Sequence, residues 1–169
     1  MQRILLIGNT GAGKTTFAKA LAAKLQLPLV HLDKLYWHGE WEHLPREEFD
    51  LLLQHELGKP QWIIDGNFNR TIPHRLQYCD TVFYFDFPVL TCLAGITKRT
   101  LFSLGSSRPD MGGCCIERFD RRKIGLYRST LTFNAQHRKD YYKLLSDASG
   151  VKVVIFKNRR QAAEFLSGL

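Results

Sequence analysis

The sequence predicts an α/β domain: a parallel sheet of five strands with helices on both faces. Three observations carry this. Short apolar runs recur along the 169 residues, each too continuous to leave one face of a strand in water. Segments with helical spacing of apolar residues alternate with these runs, the pattern of a sheet covered by crossover helices. The first run passes through a glycine-rich turn directly into a helix, the opening of a βα unit.

The elements follow in order. Ile4-Leu5-Leu6-Ile7 is the first strand, and residues 17–25 form a helix with Phe17, Leu21 and Leu25 on one stripe. Residues 29–32 are a short second strand that ends at Asp33. Residues 34–60 break the rhythm with Trp37, His38, Gly39 and Trp41, and hold a helix expected to start near Pro45 and run through Phe49, Leu52 and Leu53. Gly58 and Pro60 punctuate the approach to a third strand at 62–64, which ends at Asp65-Gly66. Residues 81–85 are the fourth strand, ending at Asp86, and residues 151–156 the fifth. Between them, helices at 90–101 and about 123–145 flank a polar, glycine-rich, basic stretch at 103–122. A loop of that length is expected to be a lid or binding loop. Residues 1–169 then form one domain with an insert at 34–60 and a lid at 103–122.

Composition narrows the function. A chain of this length supports one core. No apolar run approaches the roughly 18 residues that span a membrane, and because the N-terminus opens almost at once into a strand, no cleavable leader is expected. Cys79, Cys92, Cys114 and Cys115 are too irregular for a disulfide framework, so a cytoplasmic location is expected. The vicinal pair Cys114-Cys115 has no second pair nearby, which argues against structural zinc. The net charge is +8, but residues 98–160 hold 15 Lys and Arg against 5 Asp and Glu. Such a local excess fits an arginine-rich site that clamps phosphates. Its competitor is a nucleic-acid surface.

Gly8-Asn9-Thr10-Gly11-Ala12-Gly13-Lys14-Thr15 matches G-x-x-x-x-G-K-[ST], and it stands between a strand and a helix as that motif requires. The motif is a P-loop. Its backbone N–H groups surround phosphate, helped by the positive end of the helix. ATP is therefore the expected cofactor, held by Gly8, Asn9, Thr10, Gly11, Ala12, Gly13, Lys14, Thr15 and the adjoining Thr16. Lys14 is expected to reach the β- and γ-phosphates, and the Thr15 hydroxyl to bind Mg²⁺.

Three acids end three strands, where ligands of open α/β sheets bind. Asp65 is the candidate to support Mg²⁺ together with Thr15. Asp33 would face the acceptor, orienting or deprotonating a hydroxyl, or else supporting the metal. Asp86, before Phe87-Pro88, fits a turn or capping role. Arg70 and Arg75 would fork onto an acceptor phosphate or carboxylate, and Trp37 would line the acceptor pocket with His38 and Trp41. His31 reads as an ordinary buried strand histidine. Arg99 is placed to reach the transferring phosphoryl, and Arg108, Arg118, Arg121 and Arg122 lie on or beside the lid. Arg118 and Arg122 join Lys14, Asp33 and Arg99 as candidate catalytic residues. A closing lid would exclude water and bring positive charge to the transition state. The run Lys157-Asn158-Arg159-Arg160 after the last strand is expected near the adenine.

The chain resembles the adenylate-kinase-related P-loop proteins described as DNA topology modulation proteins. The resemblance rests on the P-loop, Leu29-Val-His-Leu-Asp-Lys-Leu-Tyr-Trp37, Pro45-Arg-Glu-Glu-Phe49 and Trp62-Ile-Ile-Asp-Gly-Asn-Phe68 with Arg70-Thr71. It extends through Asp80-Thr-Val-Phe-Tyr-Phe-Asp-Phe-Pro88, Arg108-Pro-Asp-Met111 and Glu117-Arg-Phe-Asp120. It implies an adenylate-kinase-like P-loop NTPase fold with strand order 2-3-1-4-5, an acceptor-binding insert and a lid. Asp65-Gly66 followed by Arg70 is similar to the adenylate kinase run that holds Mg²⁺ and clamps the acceptor nucleotide. Asn67-Phe68-Asn69 replaces the Phe-Pro pair of that run, so the arginine sits one residue further along.

These readings converge on a kinase that transfers the γ-phosphoryl of MgATP to a small, nucleotide-like acceptor. The alternative is a nucleic-acid-associated P-loop protein that affects DNA topology, with ATP as regulator. No base-reading module is present in the sequence, and no Asn-Lys-x-Asp run of a GTP-binding switch occurs.

Overall fold

The computed structural model describes residues 1–106, 110–112 and 115–169. In chain order its first half contains β1 (Arg3–Gly8), α1 (Lys14–Leu25), β2 (Leu29–His31), α2 (Leu32–Tyr36), β3 (Trp37–His38), β4 (Glu42–His43), α3 (Arg46–Leu57) and β5 (Trp62–Asp65). A 3₁₀ turn at Asn69–Thr71 leads into α4 (Ile72–Leu76), β6 (Thr81–Phe85), α5 (Val89–Ser103), α6 (Arg121–Asp147), β7 (Lys152–Phe156) and α7 (Arg159–Ser167). Five strands form one sheet in the order β2-β5-β1-β6-β7, and every pairing in it is parallel. Counted by sheet strands alone this is 2-3-1-4-5, as expected. The short β3 and β4 pair antiparallel as a separate ribbon.

The period of two in β1 divides the core. Leu5 and Ile7 point into one cluster with Trp62, Ile64, Tyr84 and side chains of α3, α4 and α6. Ile4 and Leu6 point into the other with Ile63, Phe83, Phe85 and side chains of α1, α5 and α7. Both faces of the central strands are therefore dry, which is why their sequences read as continuous apolar runs.

Two boundaries differ from expectation. β2 stops at His31, and Leu32 opens α2. Asp33 thus lies in the first turn of a helix rather than at a strand end. The helix of the second half starts at Arg121, where the Asp120 side chain caps it by accepting from the Lys123 N–H at 3.1 Å. Among the described residues no helix is long and apolar enough to cross a membrane.

Candidate nucleotide-binding site

The P-loop joins the C-terminal end of β1 to α1. Gly13 caps α1 in the left-handed conformation, φ 97°, without a side-chain acceptor. The leading N–H groups of α1 and its positive end are therefore presented to an anion. Gly11 and Gly95 explain how the loop is held. A Cβ on Gly11 would stand 2.1 Å from the Cys92 carbonyl oxygen, and one on Gly95 would stand 2.1 Å from the Gly11 carbonyl oxygen. The loop backbone and α5 touch because both positions lack a side chain. Asn67 fixes the start of the loop by accepting from the Gly8 N–H at 3.0 Å. Asn9, buried, donates from its amide to the Thr130 carbonyl of α6 at 3.0 Å.

Lys14 Nζ lies within the loop and donates to the carbonyls of Gly8 at 2.7 Å and Asn9 at 2.9 Å. Burial lowers its pKa, partly offset by the negative charge of Asp65 and Asp33, while Arg99 lowers it further. Those interactions place Asp33, Asp65 and Arg99 in the electrostatic surroundings of Lys14.

Asp65 ends β5 and is buried. Its carboxylate accepts from the Thr15 hydroxyl at 2.6 Å and lies 3.2 Å from His31 Nδ1. Burial alone would raise the Asp65 pKa, but the His31 bond, the Lys14 charge and the Thr15 bond together hold it below the ordinary value. The Thr15 hydroxyl and an ionised carboxylate are hard oxygen donors, the kind that suits Mg²⁺. The loop amides, Lys14 and this pair thus fit a magnesium–nucleotide complex. His31 belongs to the site although its sequence neighbourhood reads as plain strand. The missed signal is register, since His31 stands opposite Asp65 in the β2–β5 pairing.

The arginines divide. Arg75 corrects an expectation: it is fully buried rather than facing an acceptor. Its Nη1 donates to the Gly66 carbonyl at 2.9 Å, and its Nη2 to the carbonyl of Asn67 and, at 3.4 Å, of Phe68. It braces the loop after Asp65 from inside, and burial lowers its pKa to about 10. Arg70 makes a two-pronged bond with Asp50 of α3 at 2.7 and 2.9 Å, both side chains about half exposed.

Arg118 and Arg122 gather around Trp41 instead. They line a small surface pocket with Glu40, Trp41 and Ile116. Arg122 stacks its guanidinium 4.8 Å from the Trp41 ring and bonds Asp120 at 2.6 Å. The Trp41 indole N–H donates to the Ile116 carbonyl at 3.0 Å, and Cys115 Sγ lies 3.8 Å from the Gly39 carbonyl. Gly112 lets its backbone press against the Trp37 carbonyl, where a Cβ would be 1.8 Å away. The Trp37 ring packs edge-on against Tyr36, Trp41 and His43. Residues of the 103–122 segment and of the 34–60 segment are therefore in contact. Below them, Lys123 and Glu117 form a buried ion pair. Arg108 and Cys114 lie outside the described residues.

Asp86 follows β6 and is the hub of an ion network rather than a helix cap. Its buried carboxylate accepts from Arg138 Nε at 2.9 Å and Nη2 at 2.9 Å, Lys157 Nζ at 2.6 Å and the Tyr142 hydroxyl at 2.8 Å. Burial pushes its pKa up, and these donors outweigh that and hold it down. Asn158 caps α7, accepting from the Gln161 N–H at 3.0 Å. Arg159 of that helix reaches the Gly11 carbonyl at 3.4 Å and the Thr91 carbonyl at 3.5 Å.

A P-loop on β1, with a threonine–aspartate pair beside its lysine and a five-stranded parallel sheet beneath, defines an ATP-binding P-loop NTPase domain. The family model of the ATPase family associated with various cellular activities (AAA) matches residues 4–56, from the first strand into α3. No curated protein compared with the chain matches it significantly.

Proposed function

We propose that this chain is an ATP-dependent phosphotransferase that moves the γ-phosphoryl of MgATP to a small acceptor, most simply a nucleotide-like one. The observation that carries the reading is the Lys14, Thr15 and Asp65 cluster, with Asp33 and Arg99 acting on Lys14. In the reaction an acceptor oxygen attacks the γ-phosphorus, the bond to the β–γ bridging oxygen breaks, and ADP leaves. Mg²⁺, held through Thr15 and Asp65, would neutralise the charge on the phosphate oxygens. Lys14 holds the phosphates, Arg99 supplies positive charge toward the transferring group, and the loop N–H groups fix the line of attack. Asp33 is the group for the acceptor's proton if the acceptor is a hydroxyl. A phosphate acceptor needs no base, and Arg70 offers it charge once released from Asp50. Arg159, which reaches the Gly11 carbonyl of the P-loop, would pack against the base. Contact between the 34–60 and 103–122 segments supports an acceptor space enclosed by both, which suits a reaction where water competes. Such chemistry belongs where ATP is abundant, in the cytoplasm.

The nucleic-acid reading draws on the basic excess of residues 98–160. A third of those fifteen cations already have an acidic partner within the chain: Arg122 with Asp120, Lys123 with Glu117, Arg138 and Lys157 with Asp86, and Arg160 with Glu164. The kinase is therefore the stronger reading. ADP formation with Mg²⁺ is measured against a panel of nucleoside monophosphates and small hydroxyl compounds, with Lys14→Ala as blank. Acceptor-dependent turnover that disappears in the blank supports the kinase. ATP binding without turnover on any acceptor, together with salt-sensitive retention of DNA, sinks it.

A further inference from the structure

We propose that the tip of the α5–α6 hairpin docks onto α3 of a second copy of this chain. Among the described residues eleven large apolar side chains are exposed, and two of these, Met1 and Leu169, are chain ends. The other nine divide. Five cluster at the tip of the α5–α6 hairpin, Leu101 at 72 %, Phe102 at 81 %, Leu104, Phe119 and Ile124, while Leu90 and Leu131 lie further back along those helices. The remaining two, Leu51 at 72 % and Leu52 at 43 %, lie on α3. Exposed apolar residues scattered singly need no explanation, whereas clusters of this kind mark contact surfaces.

Helical spacing makes each cluster one surface. The Thr97 and Tyr127 hydroxyls meet at 2.9 Å and set the register of the hairpin. One turn nearer the tip on each helix, Leu101 and Ile124 come opposite each other. Lys98 lies three and four residues before Leu101 and Phe102, and its Nζ lies 6.0 Å from the Phe102 ring. Arg121 and Arg128 flank Ile124 at the same spacings. All three cations are exposed. On α3, Glu47 and Glu48 stand four residues before Leu51 and Leu52 and are exposed as well. The wider segments carry the same signs, since residues 34–60 hold six Asp and Glu against three Lys and Arg.

The two faces are thus alike in apolar character and opposite in charge. The hairpin face against itself would set cations on cations, a costly arrangement. Against α3 of another molecule, leucines meet leucines and phenylalanine while Glu47 and Glu48 meet Lys98, Arg121 and Arg128. The contact joins different surfaces, so it either closes by a two-fold axis that makes it twice or continues head to tail. The inference does not depend on which reaction the P-loop serves.

The mass of the full chain is measured by light scattering across concentration and salt. Association above monomer mass that weakens with salt is expected. Leu101→Ser with Phe102→Ser shifts the chain to monomer, weakening association about tenfold or more, while affinity for a fluorescent ATP analogue stays unchanged. Glu47→Lys with Glu48→Lys, and Lys98→Glu with Arg128→Glu, are each monomeric alone and associate when mixed. A wild-type chain that stays monomeric at every concentration overturns the proposal. So does a mixture of the two charge variants that stays monomeric, or a serine variant that keeps the wild-type mass. Capture of DNA or anionic vesicles by a monomeric chain, lost in the serine variant, also overturns it and assigns the face to that partner.

Discussion

Replacing Arg75 with methionine removes the guanidinium and keeps a stem of similar length in its buried slot. Two carbonyls, Gly66 and Asn67, then lose the donors that Arg75 gives them. The Phe68 carbonyl still accepts from the Thr71 N–H at 2.8 Å and hydroxyl at 2.9 Å, so it is spared. A buried carbonyl left without a donor costs about 1–3 kcal/mol, which sets a gross loss of about 2–6 kcal/mol. Relief from burying the cation offsets part of this. The fall of its pKa from 12.5 to about 10 corresponds to roughly 3 kcal/mol. Setting that relief against the gross loss leaves a net loss of at most about 3 kcal/mol. Urea unfolding reads it as a lower midpoint at an unchanged m-value. ATP affinity should hold, because the Asn9–Thr130 bond and the Gly11–Gly95 contact hold the P-loop without Arg75. Wild-type stability combined with a KM for acceptor raised tenfold or more would refute this reasoning, and would return Arg75 to the acceptor-clamping role its sequence position suggests.

Gly95→Ala forces a methyl into the 2.1 Å gap to the Gly11 carbonyl, so ATP affinity by calorimetry should fall at least tenfold, about 1.4 kcal/mol. Thr15→Val removes the hydroxyl that bonds Asp65, so the Mg²⁺ requirement for nucleotide binding, read by metal titration, should rise while metal-free binding changes little. Asp86→Asn leaves Arg138 and Lys157 without their carboxylate and should cost about 1–3 kcal/mol near neutral pH. Because the folded pKa of Asp86 lies below its ordinary 3.8, that contribution is full above about pH 4 to 5 and is lost as pH falls through the depressed value. The gap between wild type and Asp86→Asn in thermal melts should therefore close on acidification; a gap constant to pH 3 would remove the ion network as its cause.

The sheet was legible because each strand is buried on both faces, and burial of that kind writes itself as an uninterrupted apolar run. Its boundary at Leu32 was not legible. The same leucine serves a strand or a helix, and it is α2 that places its buried side chain in the core. Arginines were harder still. Arg75 and Arg70 both follow the Asp65 loop, yet one satisfies carbonyls from within and the other meets Asp50 from a separate helix. Nothing local distinguishes an inward from an outward guanidinium; the neighbours that decide it come from chain folding. His31 shows the same limit, its partner 34 residues away and visible only through strand register. Contact of Trp41 with the carbonyl of Ile116 involves a backbone atom that every residue possesses, so no side-chain pattern could announce it.

The touching backbones of Gly11 and Gly95 have a mechanical consequence. With no room for even a methyl group between them, α5 cannot slide toward the phosphate loop, but it can pivot about that point. The helix is a rigid arm 15 residues long, about 22 Å at 1.5 Å per residue, with the contact near its middle and the 103–122 segment at its far end. A tilt about that point would swing Ser103, eight residues or about 12 Å further on, in the opposite sense to Val89.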